Sequence, residues 1–180
     1  MISLRSKITQ NVLSYLFLHP GQTFYLNELA RQLKVDSGNL TRKLNELTTE
    51  GILQSEVRGN LKYFGLNSRF PLLDEYRGIV QKTVGVEVML KEALEKVDRV
   101  KQAYLYGSYA ANRMDSSSDI DVLVIGNHES IALQREIVQV QKRIGREINC
   151  TGMTEIEFSR RRGRDPLLKS IFSKPIRRIL

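Results

Sequence analysis

Cysteine and histidine are scarce in this chain of 180 residues, and it has no long apolar segment. Cys150 is the single cysteine, which excludes an internal disulfide and a zinc site built from several cysteines. His19 and His128 are too far apart in sequence to follow a metal-ligand spacing. No apolar run approaches the ~20 residues of a transmembrane helix, and no signal-peptide core follows the N-terminus. We therefore expect a cytoplasmic protein with no membrane association.

The composition is that of a folded and basic protein. Apolar residues make up 41% of the chain, which is enough to fill the cores of one large domain or two small ones. The formal net charge is +8. A basic balance of this size favours a polyanionic partner, although it does not identify one.

The periodicity of residues 3–66 predicts three helices followed by a β-hairpin. Apolar residues recur at helical spacing over residues 8–16 and again over residues 27–34. A third helix is predicted over residues 37–50, because a capping residue precedes it and a glycine follows it. Two strands then flank the turn at residues 58–60.

Residues 29–53 resemble the recognition region of ArsR-like and MarR-like regulators, which carry a winged helix-turn-helix. The resemblance implies binding to double-stranded DNA, with the third helix in the major groove and the hairpin against phosphates or the minor groove. A winged helix that serves protein contacts or dimerisation is the alternative. The candidate DNA-binding residues are Ser37, Asn39, Thr41, Arg42, Lys43 and Asn45 on the helix, and Arg58 and Lys62 on the hairpin.

A helical connector is predicted over residues 71–98, between a first domain at residues 1–70 and a second at residues 99–180. Pro71 marks the first boundary, because proline interrupts regular structure. The apolar stripes of the connector either pack on the C-terminal sheet or form the seam of a homodimer. A twofold protein that reads a palindromic DNA site needs such a seam.

The most informative segment lies in the second domain and reads as a strand, a Gly-Ser turn, a short helix and a second strand that opens with two acids. Asp119 and Asp121 alternate on an apolar strand, so both carboxylates leave the same face of the sheet. Such oxygen ligands suit a hard divalent cation. Gly107 lets backbone N–H groups approach a phosphate, and Ser108 adds a hydroxyl at a helix start. The pattern indicates a site for a nucleoside triphosphate with Mg²⁺ or Mn²⁺.

This Gly-Ser, spacer and Asp-x-Asp pattern resembles the minimal nucleotidyltransferase domains of the DNA polymerase beta superfamily. Nearly the whole chain resembles a prokaryotic family of predicted regulators, in which an ArsR-like winged helix precedes such a domain. The resemblance implies an α+β fold of two domains joined by helices, the second with a mixed α/β sheet. Gly107 and Ser108 would hold the terminal phosphates, and Asp119 and Asp121 would bind one or two magnesium ions. The implied reaction transfers a nucleoside monophosphate to an acceptor hydroxyl.

The sequence departs from this resemblance at the third acid, which is implied on the strand near residues 147–151. Alignment of the apolar residues places Asn149 there, and an amide supplies no charge and accepts no proton. Glu147 lies two residues earlier and faces the same way, so it is the candidate substitute. Glu147 and Asn149 therefore join the two aspartates as candidate catalytic residues.

A second departure follows the Gly-Ser turn, where Ala111-Asn112 stands in place of the Arg-Gly of many relatives. Arg113 is the candidate replacement for the lost positive charge and is assigned to nucleotide binding. Solvated surface is the alternative for both Arg113 and Glu147. The basic C-terminal segment is either a solvated helix end or a surface that binds nucleic acid or guides an anionic partner toward the acids; it comprises residues 160–164 with Lys169, Lys174, Arg177 and Arg178.

The sequence is compatible with three functions. The first is a DNA-binding transcriptional regulator whose second domain binds a nucleotide with magnesium and transfers a nucleoside monophosphate. The second is a nucleotide sensor with impaired catalysis, which Asn149 favours. The third is an antitoxin-like protein that modifies a partner protein.

Overall fold

The computed structural model describes residues 2–180, and the chain divides into two units between Gly85 and Val86. This division falls inside the connector predicted over residues 71–98. No helix within residues 2–180 combines the length and the apolar character needed to cross a membrane.

The first unit has three helices and a hairpin in the predicted order, and a fourth helix follows them. Its three-stranded antiparallel sheet has the order β1-β3-β2. The elements are α1 (Lys7–Leu18), β1 (Phe24–Tyr25), α2 (Leu26–Leu33), α3 (Ser37–Thr49), β2 (Leu53–Arg58), β3 (Leu61–Leu66) and α4 (Leu73–Thr83).

Local signals in the sequence explain where α3 and the hairpin lie. Asp36 caps α3, because its Oδ1 accepts a hydrogen bond of 2.9 Å from the N–H of Asn39. Leu40, Leu44 and Leu47 follow at helical spacing and are buried, so the opposite face of the helix meets solvent. Gly59 supports the tight turn between β2 and β3 with a φ of 58°.

The predicted connector is shared between the two units. Tyr76 and Val80 of α4 belong to the hydrophobic core of the first unit, and the Tyr76 hydroxyl accepts a hydrogen bond of 3.0 Å from the N–H of Ile2. The helix that follows Gly85 belongs to the second unit instead. The apolar stripes of this segment therefore fill cores within single units.

The second unit is built on a mixed four-stranded sheet of order β6-β5-β4-β7, in which β5 and β6 are parallel and the other pairs are antiparallel. Together with the first unit, it gives the α+β fold predicted from the sequence. The elements are α5 (Val86–Leu94), β4 (Val100–Tyr106), α6 (Gly107–Ala110), β5 (Ile120–Gly126), α7 (Ser130–Ile144), β6 (Ile148–Met153), α8 (Glu155–Arg161), α9 (Pro166–Phe172) and β7 (Arg177–Arg178).

Both faces of strand β5 are covered along most of its length. Leu123 and Ile125 of β5 pack with Phe158 and Leu168 of α8 and α9 on one face. The alternate residues of the same strand are also fully buried, and α5 and α7 pack against each other in this unit. A strand buried on both faces reads as a continuous apolar run, as β5 does.

Candidate active site

The two aspartates lie where β5 begins. Asp119 immediately precedes the strand, and Asp121 is its second residue. In the sheet, Asp121 pairs with Tyr106, the last residue of β4, and with Asn149 of β6. The acids therefore stand at the same end of the sheet as the Gly-Ser turn that follows β4.

A single amide joins the two carboxylates. Nδ2 of Asn149 donates to Oδ2 of Asp119 at 3.2 Å and to Oδ1 of Asp121 at 3.5 Å. Both carboxylates must therefore lie on the same face of the sheet, as their alternate spacing predicts. The amide orients the two acids toward one point without neutralising their charge.

Gly107 brings the turn into contact with Asp121. Its φ of 70° lies in the left-handed region, which side chains disfavour. A Cβ at this position would also overlap Oδ2 of Asp121, so only glycine allows the backbone this close to the carboxylate. Ser108 follows in the four-residue helix α6, half-buried, and its carbonyl accepts a hydrogen bond of 2.9 Å from the N–H of Arg113.

Negative charge is poorly compensated at this edge of the sheet. Burial raises the pKa of Asp121, the Asn149 hydrogen bond lowers it, and the charge of Asp119 raises it further. Burial likewise raises the pKa of the Tyr106 phenol, which bonds to Thr151 and lies near Asp121. A cation placed between the carboxylates would relieve this repulsion.

Glu147 does not complete a group of three acids. It is exposed and precedes β6, and its carbonyl accepts a hydrogen bond of 3.0 Å from the N–H of Ile120. Among residues 2–180, no three His, Cys, Asp or Glu side chains gather as a metal-binding group. The neutral Asn149 thus occupies the position beside Asp121 on the neighbouring strand.

Arg177 of β7 places a positive charge beside helix α6. Its guanidinium donates to Oδ1 of Asn112 at 2.6 Å and to Oε1 of Glu87 at 2.5 Å, and it lies 5.5 Å from the ring centre of Tyr109. Arg113, the sequence candidate, has an exposed side chain. Sequence reasoning missed Arg177 because its partners lie far away along the chain, and its only signal was membership of a basic C-terminal segment.

The sequence candidates for DNA binding are distributed over α3 and the hairpin of the first unit. Lys62 donates to Oδ1 of Asn45 at 3.2 Å, which links the hairpin to the helix. Thr41, Asn45 and Lys62 line a cavity of about 290 Å³ between these elements. Lys43 pairs with Glu46, and Arg58 pairs with Glu56. The remaining candidates, Ser37, Asn39 and Arg42, are exposed on α3.

Comparison with known proteins identifies the type of the second unit. Residues 89–174 match the family model described as polymerase beta, nucleotidyltransferase, and this segment contains the Gly-Ser turn and both aspartates. The chain therefore carries a nucleotidyltransferase-like domain; the match does not extend to the first unit. A search of curated proteins finds no match.

Two solved structures show a weaker similarity. One is the crystal structure of a toxin-antitoxin with AMP-PNP, at 16% identity and a TM-score of 0.40, over 52% of this chain and 72% of that chain. The other is a proposed nucleotidyltransferase from Sulfolobus solfataricus, at 18% identity and a TM-score of 0.30, over 41% of this chain and 68% of that chain. TM-scores this low establish neither a shared fold nor a shared function.

Proposed function

We propose that the second unit binds a nucleoside triphosphate together with Mg²⁺ or Mn²⁺ and transfers a nucleoside monophosphate to a hydroxyl group. The observation that supports this most directly is the convergence of Asp119 and Asp121 beside the Gly107 turn. Both carboxylates lie within 3.5 Å of one amide nitrogen, and one of them contacts the glycine that opens α6.

The donor set suits a hard divalent cation. Asp119 and Asp121 offer carboxylate oxygens from one end of the sheet, and their mutual repulsion favours a cation between them. Gly107 and Ser108 are assigned to the phosphates of the nucleotide, since a backbone turn without a side chain admits an anion closely. When bound, the cation would neutralise charge on the triphosphate and on the departing pyrophosphate.

The proposed reaction exchanges one phosphorus–oxygen bond for another. The acceptor hydroxyl oxygen bonds to the α-phosphorus, and the bond from that phosphorus to the pyrophosphate oxygen breaks. Pyrophosphate leaves with the bonding electron pair, and the hydroxyl proton passes to solvent. In this scheme Asn149 orients the two carboxylates, but it takes no proton.

A nucleotide sensor is the second candidate function. It is favoured by Asn149, which replaces the third acid that a nucleotidyltransferase resemblance implies, and by the absence of a third acid around Asp119 and Asp121 in residues 2–180. Without a side chain that accepts the proton of the acceptor hydroxyl, the site would bind the nucleotide but would transfer the nucleoside monophosphate slowly or not at all. The two candidates share the same binding site and differ in turnover.

For the first unit we propose a winged helix-turn-helix that binds double-stranded DNA and makes the protein a transcriptional regulator. The support is the exposed polar face of α3 together with the hydrogen bond from Lys62 of the hairpin to Asn45 of the helix. A helix with small polar and basic side chains fits the major groove, and a basic hairpin beside it meets phosphates.

Label transfer tests the enzymatic proposal. The native protein and an Asp119→Asn, Asp121→Asn double variant are incubated with α-labelled nucleoside triphosphates, Mg²⁺ or Mn²⁺, and cell extract. We expect label in a macromolecule or small acceptor only with the native protein. Label on a protein would identify the antitoxin-like form of the activity, in which a partner is modified.

An exposed acid of the same unit provides the control. Asp98→Asn removes one carboxylate outside the site, so its transfer should equal that of the native protein. If the native protein binds nucleotide but transfers no label, the result supports the nucleotide sensor and contradicts the enzyme. Transfer that survives in the double variant would contradict the assignment of the site.

A further inference from the structure

Arg146 is a buried charge that the sequence pattern did not single out. It follows Gly145, which ends α7 in the left-handed conformation with a φ of 66°, and it precedes β6. Only 9% of its surface is exposed. Because an arginine stays charged, burying it is costly unless hydrogen bonds satisfy the guanidinium.

The guanidinium donates hydrogen bonds to the loop that leads into Asp119. Nη1 donates to the carbonyls of Ser118 at 2.8 Å and Ser116 at 3.0 Å, and Nη2 donates to the carbonyl of Asp115 at 3.1 Å. Three carbonyls of one short loop therefore converge on one side chain that is about thirty residues away in sequence. A planar group with several fixed donors is suited to this task.

The same loop is also held by its own side chains. Oδ1 of Asp115 accepts from the N–H of Ser117 at 2.8 Å and from the hydroxyls of Ser117 and Ser118, each at 2.9 Å. These bonds, led by that of the Ser117 N–H, lower the pKa of the Asp115 carboxyl. The loop is thus fixed from its exposed side by Asp115 and from its buried side by Arg146.

Asp119 depends on this loop more than Asp121 does. Asp121 lies inside the ladder, between β4 and β6, whereas Asp119 precedes the first residue of β5. The carbonyl of Ser118, directly before Asp119, is one of the acceptors of Arg146. We propose that Arg146 is a positioning residue that sets the Asp119 carboxylate for the divalent cation, an inference that rests on the proposed nucleotide site.

The test compares nucleotide binding across a titration of Mn²⁺. Native protein, Arg146→Lys and Arg146→Gln are mixed with a fluorescent ATP analogue, and the half-saturating Mn²⁺ concentration is measured. We expect it to rise about 10- to 100-fold in both variants, as for other groups that orient metal ligands. Lysine keeps the charge but concentrates its donors on one nitrogen, so it should fail to hold three carbonyls.

Arg143→Gln is the matched control, because Arg143 lies in the last turn of α7, shortly before Arg146 in sequence, and is exposed. It removes the same charge and should leave the half-saturating Mn²⁺ concentration unchanged. Hydrogen exchange of residues 115–119 adds a second readout: exchange should accelerate there in Arg146→Lys while the strands β4 and β5 keep their protection.

If folded Arg146→Lys binds nucleotide with the same half-saturating Mn²⁺ concentration as the native protein, the role of Arg146 is overturned. The proposed nucleotide site would be unaffected by that result. If the native protein binds no nucleotide, the proposed function falls and the inference with it. Should the Arg146 variants not fold, Asp115→Ala releases the loop from its exposed side. A higher half-saturating Mn²⁺ concentration in this variant supports the inference that the fixed loop positions Asp119. An unchanged concentration overturns that inference.

Discussion

Asn149 stands directly beside Asp121 across the parallel strands β6 and β5, and its amide nitrogen donates to that carboxylate at 3.5 Å. The same nitrogen reaches Asp119, so a neutral group holds two acids together at the end of the sheet. The proposed nucleotide site is thus ordered by an amide at the position where the superfamily resemblance implies a third acid. This relationship makes Asn149 the most informative position to change.

Asn149→Asp should convert the site into a three-acid cation site. Without cation, a third carboxylate near two others should lower the free energy of unfolding by about 1 kcal/mol or more. Mg²⁺ or Mn²⁺ should then stabilise the variant more than the native protein, since a ligand stabilises the state that binds it. Thermal unfolding in chelator and in Mg²⁺ measures both effects, and label transfer should increase.

Asn149→Ala separates charge from geometry, because it removes the amide and adds no carboxylate. It should not gain the cation-dependent stabilisation of Asn149→Asp. An Asn149→Asp protein whose loss of stability is equal with and without Mg²⁺ would contradict a cation site at Asp119 and Asp121.

Asp121→Asn should stabilise the cation-free protein at neutral pH. Burial raises the pKa of Asp121 in the folded state, so the ionised carboxylate is disfavoured by folding. Because folding favours the protonated carboxyl, the native protein has its full stability below the ordinary carboxyl pKa. It loses part of that stability as the pH rises through the pKa of Asp121 in the folded state. The gain from Asp121→Asn should therefore be largest at neutral pH and vanish in acid, as measured by denaturant unfolding.

The exposed Asp98→Asn serves as the comparison for this pH series. Its effect should be small at every pH, because exposed charges contribute little. A native protein that is more stable than Asp121→Asn at neutral pH and in the presence of chelator would show that burial does not dominate at Asp121.

Gly107→Ala should weaken both the fold and nucleotide binding. The left-handed backbone at Gly107 costs a residue with a side chain about 1–2 kcal/mol, and the new methyl would displace the Asp121 carboxylate. Gly163→Ala is the matched control, because a Cβ there meets no atom within 4 Å. If folded Gly107→Ala binds nucleotide with the affinity of the native protein, the turn does not belong to the binding site.

Lys62→Ala and Arg42→Ala should each weaken binding of duplex DNA and flatten its salt dependence. Each lost phosphate contact should reduce the slope of log K against log salt by about 1. Lys7→Ala, an exposed lysine at the start of α1, should leave the slope unchanged. If the protein binds no duplex DNA at any salt concentration, or if neither Lys62→Ala nor Arg42→Ala changes the binding, the proposed role of α3 and the hairpin is contradicted.

Local patterns predicted much of the fold. Helix α8 begins with a capping box, a pattern of residues at fixed spacing, in which Thr154 and Glu157 exchange hydrogen bonds of 3.1 and 2.9 Å. Gly145 ends α7 in the left-handed conformation that glycine favours, and the hairpin turns at the predicted residues 58–60. These features depend on a few consecutive residues, so the sequence contains all the information that they require.

Contacts between distant segments were beyond such reasoning. The stripes of residues 71–98 predicted helices, but periodicity cannot tell which core a stripe fills, and Tyr76 and Val80 pack in the first unit. Arg146 reads as an ordinary charged residue after a helix, since the carbonyls of residues 115–118 to which it donates lie in another loop. Arg177 pairs with Glu87 from ninety positions away. The contacts of these two arginines therefore depend on how the topology brings distant segments together.

We propose above that Asp119 and Asp121 bind a nucleoside triphosphate through a divalent cation. Calorimetric titration of ATP and GTP into the native protein and the Asp119→Asn, Asp121→Asn double variant, each in Mg²⁺ and in chelator, tests it most directly. We expect the native protein to bind nucleotide in Mg²⁺ but not in chelator, and the double variant to bind it in neither. Equal affinity in the double variant, or in chelator, would contradict it.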